Sequence, residues 1–78
     1  MAVIYNKLWK LLIDRKIRKT ELQKAAGVSA NVMARLGRDE YVSMESIEKI
    51  CLALGCGMDD ILDIVGHEAT EERERDNG

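Results

Sequence analysis

The length, composition and charge of the chain limit what it can be. Its 78 residues allow one domain, and the core of that domain needs most of the 46% hydrophobic residues, which leaves little for an elaborate active site. The absence of Pro and Phe, with recurring Leu, Lys, Glu, Ala and Met, favours an all-α fold.

The charge is distributed unevenly behind a formal net charge of −2. Residues 7–24 contain seven basic and two acidic side chains, a local net charge of +5, whereas residues 68–78 contain five acidic and two basic ones. Because a polyanion responds to a local basic face, the first segment is compatible with DNA binding. We expect residues 1–66 to form the domain and the polar residues 67–78 to be an acidic, disordered tail.

The cysteines and the hydropathy pattern indicate the compartment. Cys51 and Cys56 could form only one disulfide bond, which is too little to stabilise a small secreted protein. Reduced thiols are therefore the simpler interpretation. The first residues lack the features of a signal peptide, and no apolar run approaches the roughly 20 residues of a membrane span. We therefore expect a cytoplasmic protein with no membrane partner.

Apolar periodicity predicts five helices. The first covers about Tyr5–Arg15 and has a single apolar stripe, formed by Tyr5, Leu8, Trp9, Leu12 and Ile13. The second runs from Lys19 or Thr20 to Ala26; Thr20 and Gln23 fit a capping box. Gly27 can end this helix in the left-handed conformation.

The other three helices follow similar signals. Ser29 is the predicted N-cap of the third helix, Ala30 to about Leu36, and Ser43 that of the fourth. The predicted buried stripe of the fourth helix is Met44, Ile47, Ile50, Cys51 and Leu54. The predicted fifth helix, about Met58–Val65, follows a turn at Gly55-Cys56-Gly57 and would bury Ile61, Leu62 and Val65.

The second and third helices form one unit with a three-residue turn that contains Gly. Two short helices joined in this way cross steeply, and the second can lie in a DNA major groove about 12 Å wide. Helical spacing separates two sets of residues in this unit. The inward set is Leu22, Ala26, Val28, Met33 and Leu36, and the outward set on the third helix is Ser29, Ala30, Asn31, Ala34, Arg35 and Arg38.

Four short elements occur in a distinctive order and spacing: Glu21-Leu22, Gly27-Val28-Ser29, Ala53-Leu54-Gly55 and Asp59-Asp60-Ile61-Leu62. Together they resemble the Cro/repressor (XRE) family of bacterial and phage transcriptional regulators, in a similarity that covers about Lys7–Val65. The resemblance implies a compact five-helix, lambda-repressor-like bundle. Gln23, where the family usually has a small Ala, and Arg18, where an N-cap Ser or Thr is common, depart from the pattern.

The resemblance also implies roles for individual residues. Lys19 and Arg38 would contact phosphates, and Asn31 and Arg35 would read bases, because Asn can pair with adenine and Arg with guanine through two hydrogen bonds. Ala30 and Ala34 offer only apolar contact, for instance to a thymine methyl. The predicted DNA-binding set is Lys19, Thr20, Ser29, Ala30, Asn31, Ala34, Arg35 and Arg38.

Other kinds of site find no support in the sequence. His67 has no partners at metal-ligand spacing, and Cys51 and Cys56 lack the companions of a zinc site. No catalytic set or glycine-rich phosphate loop can be assembled, so we expect no enzyme, no cofactor and no small-molecule substrate.

The leading prediction is a sequence-specific regulator, by preference a repressor, that binds double-stranded DNA as a homodimer. Helix five and the residues after it are the expected dimer surface. The alternative is a protein-interaction module on the same fold, such as an antitoxin or anti-regulator.

Overall fold

The computed structural model describes residues 2–65 and contains four α-helices and one short two-stranded sheet. Strand β1 is Ala2–Ile4, and the helices are α1 (Asn6–Arg15), α2 (Lys19–Ala26), α3 (Ala30–Gly37) and α4 (Met44–Leu54). A 3₁₀ turn at Met58–Asp60 leads to strand β2, Asp63–Val65. The predicted tail, residues 67–78, lies outside the described residues.

The prediction of a fifth helix is wrong. The segment after α4 makes one 3₁₀ turn, which the Asp60 carboxylate closes by accepting the Gly57 N–H at 2.9 Å. The chain then pairs antiparallel with β1, with Val3 opposite Ile64. A short apolar run with β-branched residues fits a strand as well as a helix. Here the run forms a strand, because its backbone pairs with that of β1. The fold is therefore mostly helical and of helix-turn-helix type, but the expected dimer helix does not exist.

The core lies where α1, α2, α3 and α4 meet, and Val3 of β1 and Ile61, just before β2, complete it. Within residues 2–65, the amphipathic Tyr5 is the only buried side chain that contains a polar group other than sulfur. The buried side chains are Val3, Tyr5, Leu8, Leu12, Leu22, Ala26, Val28, Leu36, Ile47, Ile50, Leu54 and Ile61.

Three residues predicted to be buried are exposed. Ile13 is 73% exposed because the buried arc of α1 is centred on Leu8 and Leu12, and its other edge is occupied by Leu11. Met44 is 62% exposed because it is the first residue of α4 and projects beyond the end of the core. Val65, predicted to be buried in helix five, is 44% exposed on β2.

Helix α2 begins at Lys19, one of the two predicted starts, but its cap differs from the prediction. Thr20 is not the N-cap; Arg18 holds that place with an extended backbone, and its N–H donates to the Glu21 carboxylate at 2.8 Å. Glu21 therefore supplies the side-chain acceptor that the predicted box assigned to Gln23. Lys16, in the left-handed region with φ 58°, ends α1.

Candidate nucleic-acid interface

The turn between α2 and α3 has the geometry that the sequence predicts. Gly27 has φ 71°, and its N–H donates to the Gln23 carbonyl at 3.0 Å. Val28 is buried and anchors the turn to the core. Ser29 caps α3, since its Oγ accepts the Val32 N–H at 3.2 Å. These contacts fix the direction in which α3 leaves the turn.

The third helix has an inner and an outer face. Leu36 is completely buried, and Val32 and Met33 are half-buried against the core. Every residue of the predicted DNA-binding set is exposed: Lys19, Thr20, Ser29, Ala30, Asn31, Ala34, Arg35 and Arg38. Exposure satisfies a necessary condition for contact with DNA, and the roles of these residues remain predictions.

The structure brings two of the predicted residues into one groove. Asn31 and Arg35, one helical turn apart, line a shallow groove of about 310 Å³ between α3 and the start of α4. Tyr41, Val42, Ser43 and Ser46 form its opposite side, and Tyr41 is 64% exposed. Tyr41 was not among the predicted site residues. The only signal for it in the sequence was the scarcity of aromatic residues, with one Trp, two Tyr and no Phe.

Lys19 and Arg38 do not line this groove. The Lys19 ammonium lies 4.4 Å from the centre of the Trp9 ring, at the junction of α1 and α2. Arg38 follows α3 and pairs with Glu40, with Nε 2.9 Å from Oε2. Neither partner, Trp9 nor Glu40, was among the predicted interface residues.

Arg38 and Glu40, just after α3, shift each other's pKa. The hydrogen bond from Arg38 holds the pKa of Glu40 below its usual range, and the charge of Arg35 acts in the same direction. The same bond raises the pKa of Arg38. At neutral pH Glu40 is therefore an anion within the electrostatic reach of two arginines of the predicted interface.

Some of the basic residues in segment 7–24 have structural contacts. Lys7 binds Asp63 with an Nζ–Oδ1 distance of 3.2 Å and donates to the Asp59 carbonyl at 3.0 Å. Arg15 donates to the Leu54 carbonyl at the end of α4. The Lys7 contacts tie the 3₁₀ turn and β2 to α1, and the Arg15 bond ties the end of α4 to α1. The +5 charge of this segment therefore overstates what is available to a polyanion.

Within residues 2–65, the structure shows no cluster of three potential metal ligands and no helix long and apolar enough to span a membrane. Cys51 and Cys56 are free thiols, half-buried at the end of α4. Burial, reinforced by the neighbouring Cys56, raises the pKa of Cys51, which keeps it in the protonated form at neutral pH.

Comparisons with known proteins agree with this architecture. The family model of the Cro/C1-type HTH DNA-binding domain matches residues 7–66. The crystal structure of the transcriptional regulator VanUg (Form II) has a TM-score of 0.80 and 47% sequence identity, over 85% of this chain and 88% of that chain. No curated protein sequence matches the chain significantly. The resemblance predicted from the sequence is confirmed: the chain belongs to the Cro/C1-type helix-turn-helix family of DNA-binding domains.

Proposed function

We propose that this protein is a transcriptional regulator that recognises an operator by inserting α3 into the major groove. The observation that carries the proposal is the exposed face of α3, on which Asn31 and Arg35 lie one turn apart beside an open groove. An α-helix about 10–12 Å in diameter fits a major groove about 12 Å wide. The family membership and the likeness to a transcriptional regulator support the same function.

The exposed residues of α3 have complementary roles in this proposal. Arg35 can donate two hydrogen bonds to guanine O6 and N7, and Asn31 can form two with adenine. Ala30 and Ala34 present methyl groups that can contact thymine. Ser29 keeps its hydroxyl hydrogen for a phosphate, because its Oγ accepts the Val32 N–H.

Phosphate contacts in this proposal come from both sides of the recognition helix. Lys19 and Thr20 lie in the first turn of α2, and Arg38 follows the end of α3. Such contacts fix the register of a protein on the duplex without reading the sequence.

We further propose that the protein binds as a homodimer and acts as a repressor. One short helix reads only a few base pairs, whereas two copies related by a two-fold axis place two helices about one turn of DNA apart. A protein bound over a promoter represses transcription simply by excluding the polymerase, which requires no further domain.

Selection of duplexes from a random pool by the purified protein tests the proposal. The expected result is a palindromic site with half-sites about 10 base pairs apart, bound with an affinity that falls steeply as salt rises. A single asymmetric half-site would contradict the dimer. If no duplex binds even at low salt while a defined protein partner co-purifies, the protein is an interaction module instead.

A further inference from the structure

The segment after α3 is anchored so that the position of Glu40 is fixed. The Tyr5 hydroxyl donates to the Glu40 carbonyl at 2.8 Å, and the Tyr5 N–H donates to Asp39 Oδ1 at 3.1 Å. The Glu40 N–H in turn donates to the Arg35 carbonyl at 2.9 Å. The backbone of Glu40 is therefore held both by the core and by the end of α3.

The side chain of Glu40 occupies the donor fork of Arg38. Arg38 Nε lies 2.9 Å from Oε2 and Nη2 lies 3.4 Å from Oε1, so both carboxylate oxygens face the guanidinium. A DNA phosphate offers two oxygens to the same N–H groups. Carboxylate and phosphate therefore compete for Arg38.

We propose that Glu40 limits the affinity of this protein for DNA, as an internal anion that holds the Arg38 guanidinium until a phosphate displaces it. The inference rests on the proposed function. When Arg38 moves to a phosphate, the DNA loses a counterion, but the freed carboxylate attracts one. The exchange consequently adds little to affinity or to salt dependence, and it acts alike on every DNA sequence, since neither residue reads a base.

The Glu40→Gln variant tests this inference, because every contact that anchors Glu40 uses its backbone. Binding to a fluorescein-labelled duplex of mixed sequence is measured by anisotropy over a salt series. We expect affinity to rise by about two- to tenfold, and the slope of log affinity against log salt to steepen by up to about 0.9, which corresponds to one more neutralised phosphate. Thermal unfolding of both proteins checks that the fold is retained.

Asp14→Asn is the matched control, because it removes the same charge from α1, in a groove lined by Gly55 and Cys56 rather than by α3. We expect it to change affinity much less than Glu40→Gln. Arg38→Ala should abolish the gain in the Glu40→Gln background, because the guanidinium that Glu40 holds is then absent.

The outcomes separate this inference from the function on which it rests. If the wild type binds DNA but Glu40→Gln gains no more than Asp14→Asn, the inference is wrong and the proposed function stands. A gain that persists without Arg38 also overturns the inference, since it would reflect net charge alone. If the wild type binds no duplex at low salt, the proposed function itself fails.

Discussion

The Lys19 ammonium lies 4.4 Å from the centre of the Trp9 ring, so the first residue of α2 is held against the side of α1. A cation over an indole face gains about 0.5–1 kcal/mol at an exposed site. Trp9 is half-buried against the core, whereas Lys19 is exposed. The ring therefore restricts the lysine side chain while leaving its charge accessible from solvent, which suits a contact with a phosphate.

The first prediction concerns this lysine. Lys19→Ala should weaken binding to the selected operator and to a mixed-sequence duplex by the same factor, because a phosphate contact reads no base. The slope of log affinity against log salt should fall by about 0.9. Lys10→Ala is the matched control, since Lys10 lies on α1 in the groove near Gly55 and should have a smaller effect. A loss confined to the operator would contradict the phosphate role.

The second prediction concerns the ring. Trp9 is the single Trp of the chain, so its fluorescence reports on this contact. Adding mixed-sequence duplex should change the emission of the wild type, because the Lys19 ammonium shifts toward a phosphate, and should change it much less in Lys19→Ala. Equal changes in both proteins would show that the ring senses DNA without the lysine.

The third prediction tests base reading by Arg35. Arg35→Ala should cost about 1–3 kcal/mol on the selected operator and relax selectivity at one base pair. Arg35→Lys keeps the charge but loses the planar fork, so it should lose the same selectivity while retaining more affinity for mixed-sequence DNA. Competition binding against operators with single substitutions measures both effects. Identical losses on operator and mixed-sequence DNA for Arg35→Ala would refute the assignment.

The sequence predicts the helix-turn-helix well because its signals are local. Ser29 and Ser43 each cap the helix that follows, with Oγ accepting an N–H three residues on. Gly27 has the left-handed conformation that the turn requires. The last element was not predictable in this way, because β2 depends on Ala2–Ile4, which is almost the whole domain away in sequence.

The same difference between local signals and long-range contacts applies to the candidate site. Which residues of α3 face solvent follows from helical spacing, and the structure agrees. The neighbours of the site depend on long-range contacts instead. Glu40 meets Arg38 because Tyr5, more than thirty residues away, anchors the loop after α3. Periodicity contains no information about such a contact, so neither Glu40 nor Tyr41 could be identified from spacing.

The fourth prediction compares two glycines. A Cβ on Gly27 would meet no atom within 4 Å, but its φ of +71° is unfavourable for any residue with a side chain. Gly27→Ala should therefore destabilise the protein by about 1–2 kcal/mol through backbone strain alone. Gly37 also has open space, but lies within α3, so Gly37→Ala should stabilise by about 0.4–1 kcal/mol. Urea unfolding of both variants measures the difference, and shifts of the same sign would contradict these conformations.

The fifth prediction concerns the hydroxyl of Tyr5. Tyr5→Phe removes the bond to the Glu40 carbonyl and should cost about 1 kcal/mol of unfolding free energy at neutral pH. Burial, followed by the charges of Asp39 and Tyr41, raises the pKa of Tyr5 in the folded state. Its contribution to stability is therefore fully present below the unfolded pKa of about 10 and is lost as pH rises through the folded value.

The variant should for this reason lose stability less steeply than the wild type above about pH 10. Urea unfolding across the alkaline range measures this slope in both proteins. Cys51 also has a raised pKa and loses its contribution in the alkaline range, but it is present in both proteins, so its effect cancels in the difference between them. A constant difference in unfolding free energy from neutral to alkaline pH would show that the phenol titrates alike in the folded and unfolded states. The Tyr5 hydroxyl would then anchor Glu40, but its burial would not contribute to the pH dependence of stability.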